Sequence, residues 1–435
     1  MKRTTVILSA LLALAAFVMP SCKNDYFDQH RYEELLSNSF PVSELDTLHD
    51  WNLTKTVTGV FDLAASPEGE YAIAIYDIDP TGPREATRLA SGVVSGYGSL
   101  KFNLGKDDSS SAVYVVVYNR DVCVARGLYN ITNNTVYVQS EAGFNQVPPL
   151  LTQPNDVEYT FCFEETYPES GGFDFNDLVL GVSYSKSAKA MNDSANYIDI
   201  TVRLRASGGN RPLACSMRLA DIKPNMVSPT FTMPRSGWKH YRYGDVFFDD
   251  PKGEVRLTKD GCVRIDLFND SHYALNGGKL DVAGTLVPRY AINTLDEMDD
   301  PEWEKADVKV STYRLAFNDA EAFNDFTFAN LDIFITTSYN ASFYEIHRHP
   351  FFGMRAINDY PTTIGYIPWA LMVPDKIQYP IEGTPIGKYS SDVNFYEGAY
   401  QQGQYSFGAW ARNRNNTEAQ GWYHYPNRES VYPMN

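Results

Sequence analysis

Apolar residues along this chain recur in short alternating stretches and not in long helical stripes. Across residues 197–205, Ile198, Ile200, Val202 and Leu204 alternate with Asp199, Thr201, Arg203 and Arg205, the two-residue period of a strand with one wet face. Residues 261–268 and 331–336 behave similarly, and residues 71–78 and 112–118 are β-branched and aromatic runs bounded by Gly, Pro, Asn and Asp, the punctuation of strands joined by turns. The pattern predicts a mainly β protein with few short helices. The best helical candidate, residues 395–410, contains Gly398 and Gly403, each costing a helix about 1 kcal/mol relative to alanine.

The same pattern divides the chain. Residues 49–147 predict an N-terminal β-sandwich. Residues 146–156 carry Pro148, Pro149 and Pro154, which remove ladder donors and stiffen a linker. A larger β-rich domain then spans 148–435. Residues 22–48 are polar and mixed, with one short helical hint at Tyr32, Leu35 and Leu36, and predict a mobile tether.

Residues 1–21 have the build of an export leader. Lys2 and Arg3 form a charged start, Val6 to Val18 an apolar stretch too short to span a bilayer, and Cys22 follows Met19, Pro20 and Ser21. The cysteine after such a stretch resembles a lipobox, although Pro20 stands where a small or aliphatic residue is usual. This predicts lipidation at Cys22 and a lipid anchor in the outer membrane. Lys23, Asn24 and Asp25 loosely resemble a surface-export tag, with one acid where two are usual. An exported compartment permits disulfides among Cys123, Cys162, Cys215 and Cys262, and their spacing fits no metal site.

Composition narrows the function classes. The formal net charge is −17 with no run of Lys and Arg, which argues against a nucleic-acid partner. Aromatic residues make up 14% of the chain, which suits strands and recognition surfaces. Phe-Asn-Asp occurs four times, at residues 175–177, 268–270, 317–319 and 323–325, and Asn-Asp is good turn chemistry.

The most informative segment is FCFEETYPESGGFDFNDLVL, residues 161–180. A hard cation such as calcium needs six to eight oxygens on a sharply turning backbone. Glu164, Glu165, Asp174, Asn176 and Asp177 supply oxygens, and Gly171 with Gly172 could supply the turn. Phe173, Phe175, Leu178 and Leu180 would anchor the loop in the core. The spacing is not that of an EF-hand. The alternative is a hairpin whose acids face water, and the residues alone leave both readings open.

This segment resembles the acidic signature of the LruC domain, found in bacterial outer-membrane lipoproteins and surface proteins. The usual ending, Gly-Asp-x-Asp-Phe-Asn-Asp, lacks its first acid here, because Phe173 follows Gly172. The resemblance continues through Tyr366, Pro368, Trp369, Ala370, Leu371 and Pro374, then Tyr379, Pro380, Ile381 and Glu382, then Ala399, Tyr400, Phe407, Trp410, Trp422 and Tyr423. Asp50, Trp51, Thr54 and Thr56, in DWNLTKTVTG, resemble the sandwich that often precedes that domain. The resemblance implies an envelope address, a β-rich fold and a cation loop, and no agreed biochemical activity.

Enzyme chemistry finds little support. Paired carboxylates suit a glycosidase, but acids crowded into one loop suit a bound cation better. No Gly-x-Ser-x-Gly elbow or phosphate loop occurs, and His347 with His349 is short of a zinc set. Two tripeptides, residues 46–48 and 193–195, have the form of an O-glycan acceptor at a frequency close to chance. The expectation is a non-catalytic, surface-displayed lipoprotein with a calcium-stabilised domain, binding a glycan or protein partner. Trp369, Trp410 and Trp422 could form its recognition face or belong to the core. The alternatives are a structural component of an envelope assembly and a carboxylate-dependent glycoside hydrolase.

Overall fold

Alternation along the chain becomes alternation of burial. In the computed structural model, Ile198, Ile200, Val202 and Leu204 are fully buried on a strand spanning Asn196–Ala206. The structure describes residues 40–433 apart from Ser43, Gln402, Gln404 and the segments 64–68, 120–121, 140–154, 168–170, 188–194, 233–252, 277–278, 281–285, 288–290, 296–304, 340–341, 349–366, 391–393 and 397–398. The leader with Cys22, residues 23–39, the linker prolines, Ser194, His349 and Tyr366 lie outside the described residues.

The first unit contains β1 (Thr54–Asp62), β2 (Glu70–Tyr76), β3 (Thr87–Ser95), β4 (Tyr97–Gly105), β5 (Ala112–Asn119), β6 (Val122–Thr132) and β7 (Thr135–Gln139). Pairing orders them as two layers, β3-β2-β5-β6 and β7-β1-β4. The layers join at their edges through the β6–β7 hairpin and the tight β3–β4 turn, where Gly96 takes a φ of 72°. Val57, Phe61, Ile73, Ile75, Leu100, Phe102, Val115 and Val136 fill the space between them.

The two-residue β8 (Asn155–Asp156) runs parallel to the start of β3. The second unit contains β9 (Glu158–Phe163), β10 (Leu178–Ser187), β11 (Asn196–Ala206), β12 (Ala214–Leu219), β13 (Val227–Thr232), β14 (Arg256–Leu257), β15 (Val263–Phe268), the short pair β16 (Lys279–Leu280) and β17 (Leu286–Val287), β18 (Lys309–Phe317), β19 (Leu331–Tyr339), β20 (Ser342–Ile346) and β21 (Ala370–Val373). One antiparallel sheet has the order β13-β18-β11-β10-β9-β21, and the other β14-β15-β12-β19-β20. Their inward residues share a core with the aromatic C-terminal segment.

Several expectations change here. The helix expected over residues 395–410 is confined to Phe407–Arg412, and Asn394–Tyr396 pairs with Ala399–Gln401 as strands. Ser406 opens that helix, its hydroxyl accepting the Ala409 N–H. Residues 40–48 do not behave as a tether: Phe40 and Val42 are buried in the second unit's core, and Asp46 pairs with Arg414. Trp51 and Leu53 also belong to that core, with Trp51 packed edge-on to Trp410. The sandwich is thus inserted between two segments of one larger unit. Trp369, Trp410 and Trp422 are all buried, so they form core and not a recognition face. Among the described cysteines, Cys123, Cys162, Cys215 and Cys262 are buried free thiols.

The two units are joined by specific bonds. The Asn324 amide exchanges two hydrogen bonds with Val93, its Oδ1 accepting from the Val93 N–H (2.8 Å) and its Nδ2 donating to the Val93 carbonyl (2.6 Å). Asp107 accepts from the Tyr423 hydroxyl at 2.6 Å and contacts His424 Nε2 at 2.8 Å. Two of the Phe-Asn-Asp copies do turn work: Asp319 caps the helix Ala320–Asp325, and Asp270 accepts the N–H of His272 at the start of Ser271–Asn276.

Candidate metal centre

The loop between β9 and β10 turns on its phenylalanines. Phe173 and Phe175 take φ values of 50° and 55°, a left-handed backbone that costs an L residue roughly 1–2 kcal/mol. Both rings are fully buried, and that of Phe173 lies 5.0 Å from Phe40 and 5.5 Å from Trp369. Burying each ring contributes about 1.5–3 kcal/mol, enough to hold the strained backbone. The turn was expected from Gly171 and Gly172; neither has a positive φ. Gly171 instead provides room, since a Cβ there would stand 2.2 Å from Thr166 Oγ1 and 2.8 Å from Glu164 Oε2.

This backbone draws the predicted oxygens inward. Glu164, Glu165, Asp174, Asn176 and Asp177 are all buried, which excludes the hairpin with water-facing acids. Glu164 Oε1 accepts the Phe175 N–H at 2.6 Å, and Asp177 Oδ2 accepts the Glu165 N–H at 2.6 Å. Asp174 Oδ2 accepts from Gly383 at 2.8 Å, and Glu165 Oε1 from Asn210 at 2.7 Å and Arg211 at 3.0 Å. Arg211 reaches the loop by donating from Nη1 to the carbonyls of Glu165 (3.1 Å) and Tyr167 (3.0 Å).

Negative charge is concentrated here. Burial, then the neighbouring charges of Asp177 and Asp174, push the Glu164 carboxyl well above its ordinary range. Burial, then Glu165 and Asp174, do the same to Asp177. Burial raises Glu165 and Asp174 as well. Buried ionised carboxylates need a counter-charge or a proton.

Glu382 joins the cluster from a distant part of the chain and was not expected among the ligands. Burial and the charge of Asp174 push its carboxyl up to about 7. Only its place in the C-terminal motif could have suggested it. Asn176 completes the arrangement: its Nδ2 donates to the Pro380 carbonyl at 3.2 Å, while its Oδ1 is buried and accepts from no described residue. A Cβ on Gly208 would come within 2.6 Å of that oxygen and 2.9 Å of Glu382 Oε2, so both oxygens face one small space that glycine leaves open. Thr166 Oγ1 is a second buried oxygen without a partner among the described residues.

The donor set is all oxygen and mostly anionic, the chemistry of a hard cation. Orphaned Asn176 Oδ1 and the space above Gly208 fit such an ion. Among the described residues, no three His, Cys, Asp or Glu side chains converge closely enough to hold a metal in their present positions. Asn176, main-chain carbonyls and small side-chain movements would have to complete the shell.

Comparison with known proteins adds little to this geometry. No family model matches the chain, so the likeness to the LruC domain rests on the quoted motifs, and no curated protein matches either. Among solved structures, the chain is similar to a "Putative lipoprotein from Bacteroides ovatus", at 14% identity and a TM-score of 0.46, over 83% of this chain and 98% of that one. A likeness at that level carries no functional argument.

Proposed function

We propose that this chain is an exported lipoprotein, anchored by lipid at Cys22 in the outer membrane and displayed at the cell surface. Its larger unit is stabilised by calcium, and it binds an extracellular glycan or protein partner without catalysis. The address is supported by Lys2, Arg3, the apolar stretch Val6 to Val18 and the cysteine that follows, together with the LruC-like motifs. The observation that carries the calcium reading is Asn176 Oδ1, a buried acceptor lacking a donor among the described residues, set among four buried carboxylates.

In this reading Glu164, Asp174, Asn176, Asp177 and Glu382 hold the ion. Glu165 is further from that role, since main-chain N–H groups of Asn210 and Arg211 already occupy its carboxylate. The ion supplies the missing positive charge. The loop's phenylalanines and the space above Gly208 keep the oxygens oriented for it.

Thermal melts of residues 23–435 in EDTA and in millimolar calcium test this, alongside an Asp174→Ala, Asp177→Ala double variant. A ligand present at a hundred times its Kd stabilises the folded state by about 2.7 kcal/mol. The wild-type midpoint should therefore rise with calcium while that of the double variant stays unchanged. A wild type that remains folded and indifferent to calcium would falsify the metal reading.

A further inference from the structure

The six-stranded sheet also borders a cavity outside the acidic loop. This cavity of about 540 Å³ is lined by Arg203, Arg205, Val308, Val310, Lys376 and Tyr379, among others, within the range of small-molecule sites, about 300–1,000 Å³. It shares no lining residue with the acidic loop and does not depend on the cation reading.

Strand register builds its walls. Arg203 on β11 stands opposite Val310 on β18, and Arg205 lies on the same face two residues on. The buried Arg205 side chain pairs with Glu158 across Gly181. A Cβ on Gly181 would come within 2.5 Å of Glu158 Oε1 and 3.0 Å of the Arg205 guanidinium, so glycine lets the ion pair lie flat as a floor. Asn293 fixes the rim: its Nδ2 donates to the carbonyls of Arg205 (2.7 Å) and Ala306 (2.9 Å), and its Oδ1 accepts from the Ala306 N–H (2.9 Å). Tyr379 and Tyr432 stack at one end with ring centroids 5.5 Å apart.

The charge of this cavity is opposite to that of the chain. Arg203, Arg205, Lys305 and Lys376 face two acids, Glu158 and Asp307, in a protein of formal net charge −17. Arg203 contacts Ser183 Oγ at 3.0 Å and Glu158 Oε2 at 3.2 Å, both through Nη1. Its Nε and Nη2 make no hydrogen bond to any described residue, and that edge of a guanidinium matches a carboxylate in two-pronged geometry. Val308 and Val310 are 47% and 44% exposed beside it, an apolar surface next to an open cationic fork.

We propose that this cavity binds a small carboxylate with an apolar body. The carboxylate takes the Nε and Nη2 edge of Arg203, Lys376 supplies a second positive charge, and the apolar body covers Val308 and Val310. A free organic acid and the C-terminus of a peptide ending in an apolar residue share this chemistry.

Titration of the purified full chain with 2-naphthoate, with 2-naphthylmethanol, and with Gly-Gly-Gly-Leu-Phe as free acid and as amide tests the proposal. The naphthoate or the free-acid peptide should bind, and whichever binds identifies the source of the carboxylate. The neutral alcohol or the amide should bind at least about tenfold more weakly, as loss of a charge-assisted pair requires. Arg203→Gln should weaken the binding acid by a similar factor. Lys376→Met, at an exposed position, should weaken it several-fold and carries the test alone if Arg203→Gln does not fold. Binding of neither acid, equal binding of acid and neutral probe, or unchanged affinity in the folded variants overturns the proposal.

Discussion

Two of the places where the larger unit buries charge solve the problem differently. On the five-stranded sheet, Arg218 Nη2 lies 2.6 Å from Asp260 and its Nη1 3.3 Å from Asp332, and Asp332 also contacts His347 Nδ1 at 2.9 Å. Arg264 bridges Asp266 at 2.6 Å and Glu345 at 3.0 Å. Burial acts to raise the Glu345 carboxyl, but His347 and Arg264 outweigh it and hold the group at about 2. The loop between β9 and β10 also buries its acids, and there every described acid shifts upward. Desolvation is common to both places, and what differs is whether the chain's own cations outweigh it. Where they do, the network is self-sufficient; where they do not, the excess charge is what the proposed cation would offset.

Breaking the self-sufficient network should have the largest effect. Asp332→Ala leaves Arg218 and His347 buried with a partner removed, and such losses cost about 3–5 kcal/mol. The expected outcome is the same drop in denaturant midpoint in EDTA and in calcium. A drop that calcium repairs would mean the two regions are not independent.

The acidic loop should respond with the opposite sign. In EDTA, Asp174→Ala with Asp177→Ala removes unneutralised buried charge, so that variant should melt at or above the wild type. With calcium at a hundred times its Kd the wild type should gain about 2.7 kcal/mol and overtake it. A double variant much less stable than wild type in EDTA would show that these acids are structural hydrogen-bond acceptors first.

Acidity sharpens the same contrast. In EDTA the folded-state carboxyls of Glu164, Asp177 and Glu382 lie above their unfolded values, Glu382 at about 7. The folded state then holds more protons than the unfolded one, so stability should fall as pH rises from about 5 to 8. Calcium, binding the deprotonated form, should flatten that fall. Glu345 runs the other way: its contribution is present above about pH 4.5 and is lost as pH falls towards 2. Melting midpoints across pH 3–8, with and without calcium, separate the two signs, and a flat profile in EDTA would count against the loop's uncompensated charge.

The smallest change tests the space at the centre. Gly208→Ala would place a methyl group 2.6 Å from Asn176 Oδ1, and overpacking of this kind costs about 1–3 kcal/mol. Its calcium response should disappear along with that loss. A retained response would move the ion away from Asn176 and Glu382.

Legibility in the sequence followed the range of the interactions. Strand β11 could be read from Ile198, Ile200, Val202 and Leu204 because pleating imposes a two-residue period that neighbouring residues express. Arg205 shares that period on the polar side, yet its side chain is buried, because Gly181 on the neighbouring strand and Glu158 on the one beyond make a place for it. The clustering of Glu164, Glu165, Asp174, Asn176 and Asp177 was visible because they are close in sequence. Their burial was not, since it depends on Phe40, Trp369 and Gly383, which arrive from elsewhere in the chain.

The sequence by itself therefore determined the mainly β class, the strands of regular period and the set of oxygens gathered at residues 164–177. Tertiary structure alone decided that Phe40, Val42, Trp51 and Leu53 join the larger core, that the tryptophans lie inside it, and that Glu382 faces Asn176 across Gly208. Local periodicity records only which side of a strand is apolar. Which side is covered, and whether a buried charge meets a partner, is decided by segments tens to hundreds of residues away.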